Sequence, residues 1–575
     1  MSQTDLNNTA SEIQDPPDTD KATVQEENPY AYLDRDFSSE NFKIEIKNLP
    51  KFYGIGEFKK LLNEKLKLNA NKIKTPRRNC QYAFVCFRNE EDRDNAIKVI
   101  SEYTWKGKQL AAVYAKPCAD PLVKKRQQFD SSTDSNKKQK IPIEDRIKQS
   151  TVPLVDLEYE KQLETKQDGI KTTLRKLGNE LSHQNIELRK YIEQQKEKYD
   201  GLPCELLGIK YSDQINGYRN KCEFSVGINP KTKLATVGFR IGAYVDGITG
   251  VGPVEHLAHI PDSMKIAVKV FEDFVRSSSL EVYNAEHQTG HFRQLTVRSA
   301  IDQLMVVVGI HPQNLEPANI ETLKEQLIEF FSIGPGKDAK VTSLYYEEIV
   351  KKHSGDDFTP ATFLWGETHI YETILGLKFR VSPQAFFQVN TKAAEILYQS
   401  AIDLVEPTEN SSMLDVCCGT GTIGLCFSKH CSQVLGLEIV PQAIVDAKEN
   451  ALMNKVENSE FFVGKAEEIL GSVCYKTKNE DVFAVVDPPR AGLHQKAIHQ
   501  VRKIKKINRL LYISCNPKLA MKNFIDLGRP ESKYLTGQFF VPVKAVAVDL
   551  FPHTHHCELM ILFKRWDLVE QELNK

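Results

Sequence analysis

Apolar and polar positions change texture several times along the chain. Residues 1–40 are short of aliphatics and rich in Asp, Glu, Asn and Thr, so they cannot fill a core and predict a disordered acidic tail. From Phe42 the pattern becomes periodic, with FKIEIKNLP, CQYAFVCFR and QLAAVYAKP reading as strands and GEFKKLLNEKL and EEDRDNAIKVISEY as helices. This predicts a β-α-β-α-β unit over 41–117, followed by a polar, basic linker over 118–155. Residues 156–200 are dense in Glu, Lys, Leu and Ile without a proline. They predict one or two helices, interrupted at Gly169 and Gly178, without the sustained heptads of a coiled coil. Over 201–380 strand-like segments recur (KCEFSVGI, ATVGFRIG, RQLTVRSA, LMVVVGI, VTSLYYEEI, HIYETILGLKFRV), with helical stretches at 263–276 and 319–331. That alternation predicts a central α+β domain.

In 381–575 each apolar run stops at a chemically distinctive cluster. MLDVCCGTGTIGL is a strand followed by Gly419, Gly421 and Gly424, a strand-to-helix turn whose backbone amides can approach a ligand closely. Glu438 ends the next strand, QVLGLEI, where a carboxylate can take two ribose hydroxyls, and Asp415 lies beside the turn. These features suit a nicotinamide, flavin or S-adenosylmethionine enzyme alike. FAVVDPPR then ends a strand in Asp487, Pro488, Pro489 and Arg490, and LLYISCNPK ends another in Cys515. Asn516 as N-cap and Pro517 as first helical residue put Cys515 just outside a helix N-terminus, a place expected to favour the thiolate. A rigid Asp-Pro-Pro wall beside a cysteine suits a methyltransferase acting on a flat base. VKAVAVDLF and HHCELMILFKR read as a closing antiparallel pair, joined through DLFPHTHHCE. Its histidines, Cys557 and Glu558 invite a zinc reading. Alternate strand residues face opposite sides, so no more than half could converge, and Glu558 reads better as a base.

Composition narrows the setting. A chain of 575 residues needs several cores, and a net charge of -1 with 27% charged residues leaves nucleic-acid affinity to local basic patches. Arg219 and Lys221 in GYRNKCEF, and equally Arg293 and Arg298 in HFRQLTVRSA, read as candidate phosphate contacts or as paired surface charges. Twelve cysteines without regular spacing argue against disulfide, zinc or iron–sulfur frameworks and for a reducing compartment. The acidic N-terminus is no secretory or transit signal, and no apolar run approaches the roughly 20 residues that cross a bilayer, so no membrane is expected. Lys124, Lys125 and Arg126, with Lys137, Lys138 and Lys140, read as a bipartite nuclear import signal, a phosphate-contacting linker or a solvated charge run. A monomer in the cytosol, with the nucleus open to it, is expected.

Two resemblances add to this reading. Residues 41–117 resemble an RNA recognition motif, in which Tyr82 and Phe84 would stack bases at about 1 to 3 kcal/mol each and Phe87 would point into the core. Glu45, Cys80 and Gln81 depart from that pattern and leave a protein-binding version of the fold open; Lys43, Lys47, Arg77, Arg78 and Arg88 favour RNA. Over 203–565, GYRNKCEF, SPQAFFQVN, the glycine turn, DPPRAGL, SCNP and DLFPHTHHCE resemble the uracil-5 RNA methyltransferases. His553 and Cys557 depart from that family's pattern beside the key residues. The resemblance implies a C-terminal Rossmann-like domain that binds S-adenosyl-L-methionine through Gln388, Cys417, Thr422, Glu438 and Asp487, beside the glycine turn at Gly419 and Gly421. It implies Cys515 as nucleophile, Glu558 as proton acceptor, and 5-methyluridine in the T-loop of tRNA as product. Asp487 and Arg490 are candidates for orienting the base. An N6-adenine methyltransferase, which would carry an aromatic where Arg490 stands, and a decayed RNA-binding protein are the rival readings.

Overall fold

The computed structural model describes residues 40–51, 53–75, 80–116, 141–242, 249–284, 287–350 and 360–574. The acidic tail, Arg77, Arg78 and both basic clusters of the linker lie outside them. The described residues form two compact units, 40–116 and 141–574.

The first unit is a four-stranded antiparallel sheet in the order Lys72–Lys74, Tyr82–Cys86, Lys43–Lys47, Ala111–Tyr114. Its helices are Ile55–Lys60, extended by a π-helical stretch Leu61–Lys65, and Glu90–Ser101, whose first turn is capped by Asn89. Ile44, Ile46, Ala83, Val85 and Phe87 join Phe58, Ala96 and Ile100 in the core. The alternate residues Glu45, Tyr82 and Phe84 therefore take the other face. Lys72–Lys74 was not anticipated: three residues reading KIK are too short to show a period.

The second unit is built on an eight-stranded sheet in the order Ser459–Val463, Gln433–Glu438, Ser411–Val416, Asp481–Val486, Ile507–Ser514, Glu558–Arg565, Phe540–Asp549, Glu205–Tyr211. The first five strands are parallel and Glu558–Arg565 is antiparallel to its two neighbours. Both faces are covered, which is why the parallel strands read as unbroken apolar runs. Two assignments from the sequence need correction. Glu205–Tyr211, expected in the central domain, completes this sheet parallel to Phe540–Asp549. The helices Tyr159–Gln184 and Ile186–Lys198 are no separate segment, because Leu174, Leu177, Leu181 and Leu188 share a core with Leu414, Val482 and Phe524.

A seven-stranded sheet, Val251–Gly252, Ala235–Arg240, Lys221–Ile228, Phe292–Ala300, Gln303–Ile310, Ser343–Glu348 and Thr362–Gly366, forms the α+β part with the helices Asp262–Ser277 and Pro317–Ser332. HIYETILGLKFRV is a separate hairpin, Ile370–Ile374 with Leu377–Val381, turned by Leu375 and Gly376 at φ 50° and 76°. Consecutive residues with positive φ match the twist of a two-residue hairpin turn.

Candidate active site

The strand registers bring the chemistry to one edge of the eight-stranded sheet. Val416 is level with Leu437 on one side and Val486 on the other, so Cys417, Glu438 and Asp487 leave the sheet together. Val486 is level with Tyr512 on the following strand, which ends at Ser514. Ser514 faces Leu559 in the antiparallel strand, and the same register continued by one residue sets Cys515 across from Glu558.

The glycine turn is shaped by Glu438, whose carboxylate accepts from the Gly419 amide (3.1 Å) and the Val440 amide (2.9 Å). Cys417, Gly419 and Gly421 all have positive φ. A Cβ added at Gly419 would meet nothing within 4 Å, so the turn opens onto free space. A Cβ at Gly424 would lie 2.8 Å from Asp415 Oδ2, so only glycine lets this helix approach the strand. Asp415 Oδ2 accepts from the Gly424 amide at 2.8 Å, while its buried Oδ1 has no hydrogen-bond partner among the described residues. The Thr422 hydroxyl is hydrogen-bonded to that of Thr420 at 3.1 Å, and Thr422 opens the helix Thr422–Phe427 that follows the glycine turn.

SPQAFFQVN is held from the central sheet by residues the sequence did not single out for that task. Arg298, buried and expected as a phosphate contact, donates instead to the carbonyls of Pro383 (3.1 Å) and Ala385. Arg293 likewise turns inward, donating to the Ile349 carbonyl at 2.7 Å. Asn220 donates to the Gln388 carbonyl and to Thr391, both at 2.9 Å. Gln388 Nε2 thereby reaches Asp487 Oδ2 at 3.4 Å. Arg219 and Lys221 flank Asn220 and line, with the exposed Phe386, a cleft of about 270 Å³. Lys221 is ion-paired there with Glu223 at 2.7 Å, which tempers its charge as a phosphate contact.

Residues 373–566 match the family tRNA (Uracil-5-)-methyltransferase. The tRNA (uracil-5-)-methyltransferase homolog A of Homo sapiens is 41% identical over 540 residues, covering 93% of this chain and 85% of that protein. The chain belongs to this family. Homolog B of Danio rerio is 40% identical over 443 residues, 75% of this chain and 90% of its own. The tRNA (uracil-54, C5)-methyltransferase of Pyrococcus abyssi, solved in complex with S-adenosyl-L-homocysteine, shares the fold. It superposes with a TM-score of 0.50 at 24% identity, covering 71% of this chain and 84% of that one. The protein is thus an RNA uracil-5-methyltransferase that uses S-adenosyl-L-methionine. Its residues fit that cofactor: Gly419 faces open space, Glu438 is fixed by two amides, and Asp415 keeps an unpartnered acceptor.

The electrostatics of this methyltransferase correct one expectation. Burial pushes the Cys515 thiol up to about 11, Glu558 and Asp487 add to the rise, and Arg490 opposes it. The helix N-terminus loses to desolvation and two carboxyl neighbours, so the resting group is a thiol. Burial holds Glu558 well above the usual carboxylate range, with Asp487 adding to the rise, and burial raises Asp487 too. Glu558 Oε2 has no hydrogen-bond partner among the described residues. No group of three or more potential ligands there could hold a metal ion, and no helix there is long and apolar enough to cross a membrane.

The loop between Asp549 and Glu558 is fixed from outside the matched region. Lys166 Nζ, on the helix Tyr159–Gln184, pairs with Asp549 at 2.7 Å with both side chains fully buried, and donates to the Phe551 carbonyl at 3.0 Å. Tyr159 donates to Asp549 Oδ2 at 3.0 Å. Gln162 Oε1 accepts from the His553 amide at 2.8 Å, and His553 has φ 68°. The Y-x-x-Q-x-x-x-K spacing, which puts all three on one helix face, was the available signal for this support.

Proposed function

We propose that this chain methylates carbon 5 of a uridine at position 54 in the T-loop of tRNA, through a covalent bond from Cys515 to carbon 6 and proton removal by Glu558. The position follows that of the Pyrococcus abyssi tRNA (uracil-54, C5)-methyltransferase. The position of Cys515 directly after the strand that pairs with Glu558–Arg565, within electrostatic reach of Glu558, Asp487 and Arg490, carries the mechanism.

Carbon 5 of uracil is a poor nucleophile. The Cys515 thiol gives up its proton to solvent, the thiolate sulfur adds to carbon 6, and the ring double-bond electrons move toward oxygen 4, leaving carbon 5 electron-rich. Bound S-adenosyl-L-methionine supplies the electrophilic methyl group. With carbon 5 methylated, Glu558 takes its proton, the C–H electron pair restores the ring double bond, and the Cys515 sulfur is expelled. Glu558 must be ionised by then, so its resting proton has to leave first. Asp487 and Arg490 orient the base, and extruding the base from the tRNA fold costs a few kcal/mol.

A 5-fluorouridine-substituted tRNA tests the assignment, because fluorine cannot leave carbon 5 as a proton does. The wild-type chain with S-adenosyl-L-methionine should form a protein–RNA adduct that survives denaturation, and Cys515→Ala should not. No adduct with wild type, or an equal yield with Cys515→Ala, would refute the mechanism.

The Tyr82–Phe84 pair on the strand Tyr82–Cys86 supports reading the first unit as a contributor to tRNA binding. The two rings meet edge to face at 5.9 Å, and Tyr82 is exposed. Lys43, ion-paired with Glu40, stands 4.9 Å from the Phe84 ring and occupies part of that platform.

A further inference from the structure

We propose that a cavity beside Cys515 seats the nucleotide adjoining the target uridine, with its phosphodiester held by Lys518, His555 and His556; this rests on the uridine-methylation reading above. The cavity measures about 390 Å³, the lower part of the range for small-ligand sites and enough for a single nucleotide. One wall is the helix Tyr159–Gln184, through Thr165 and Gly169, and the opposite walls are Cys515 to Lys518 and His555 to Cys557.

Three observations lead there. Cys515 lines the cavity, yet Asp487, Arg490 and Glu558, the groups proposed to address the target base, are not in its lining. An RNA strand that delivers one base to Cys515 must carry its next phosphodiester away within a nucleotide's length, and this is space of that size against the same residue. The lining also holds no carboxylate: its ionisable groups are Lys166, Lys518, His555, His556 and the two thiols. Lys166 is committed to Asp549 and the Phe551 carbonyl, whereas Lys518, His555 and His556 are exposed. The amide end of the helix Pro517–Gly528, capped by Asn516, adds positive potential on the same side. Finally, Gly169 sits within a helix and a Cβ there meets nothing within 4 Å, so the floor of the cavity is open rather than packed.

Two variants of the full chain test this by different means. Gly169→Phe fills the cavity from its helical wall, and Lys518→Gln removes a cation. Gly169→Phe should weaken tRNA binding about tenfold, the loss of one good contact, while leaving S-adenosyl-L-methionine binding by calorimetry at the wild-type value. Lys518→Gln should reduce the slope of log affinity for tRNA against log salt by about 0.7, one single-strand phosphate contact. An unchanged tRNA affinity in Gly169→Phe together with an unchanged slope in Lys518→Gln overturns the subsite. So does a loss confined to cofactor binding or to turnover at constant tRNA affinity. If Gly169→Phe fails to fold, the slope in Lys518→Gln decides alone. Wild-type adduct formation with 5-fluorouridine tRNA separates the two readings: its absence sinks the reaction, whereas its presence with wild-type behaviour of both variants sinks only the subsite.

Discussion

At the scale of single residues, burial favours the protonated forms of Cys515 and Glu558, the two groups proposed to react. With the Cys515 thiol near 11, the thiolate fraction grows about tenfold per pH unit below that value. Alkylation of Cys515 by iodoacetamide, followed on its peptide by mass spectrometry, should accelerate by about that factor per unit across the neutral and mildly alkaline range. A plateau already at neutral pH would mean that the helix N-terminus wins after all. Glu558 makes a separate prediction. In Glu558→Gln the sulfur can still add to carbon 6 but carbon 5 keeps its proton, so unmodified tRNA should accumulate as a denaturation-resistant adduct. Normal turnover by that variant would remove Glu558 from the role of base. Gln388, Cys417 and Thr422 came only with the family resemblance, whereas Glu438, Asp487 and Cys515 could be singled out in the sequence because each sits where an apolar strand ends, a boundary that local hydropathy marks. Their ionisation was not legible, since it depends on which charges are buried together.

At the scale of elements, the helix Tyr159–Gln184 braces the loop that leads into Glu558. Lys166→Met would leave Asp549 buried with its counter-ion gone, still receiving the Tyr159 hydroxyl and the Phe551 amide. Loss of one partner of a buried pair costs about 3 to 5 kcal/mol, and the remaining donors place the expectation at the lower end. Urea denaturation should show this loss, and the double variant Lys166→Met/Asp549→Leu should recover much of it. Recovery would identify an isolated buried charge as the cause, and its absence would point to packing. The helix itself could be read from its period, but not its destination, because nothing local says that Lys166 will meet Asp549. In the first unit, Lys43 stands over Phe84 while Tyr82 remains exposed. Tyr82→Ala should therefore weaken tRNA binding more than Phe84→Ala, by about 1 to 3 kcal/mol if one base stacks there. Unchanged affinity in both variants would favour a protein-binding surface.

At the scale of the whole molecule, the second unit gathers its candidate site at one sheet edge from segments far apart in the chain. Strand ends supply Glu438, Asp487 and Cys515, the antiparallel return supplies Glu558, and the central sheet positions Gln388 through Asn220. The sequence alone determined the long apolar strands and the glycine turn and offered the candidate reactive groups, because burial on both faces writes apolar runs and polar residues mark their endings. Tertiary structure decided what pairs with what. Glu205–Tyr211 joined the C-terminal sheet, Arg298 turned inward to hold a loop, and Lys166 found Asp549. The reason is physical: a side chain's local pattern reports whether it is buried, whereas its partner and its proton are set by groups that only folding brings within a few ångströms.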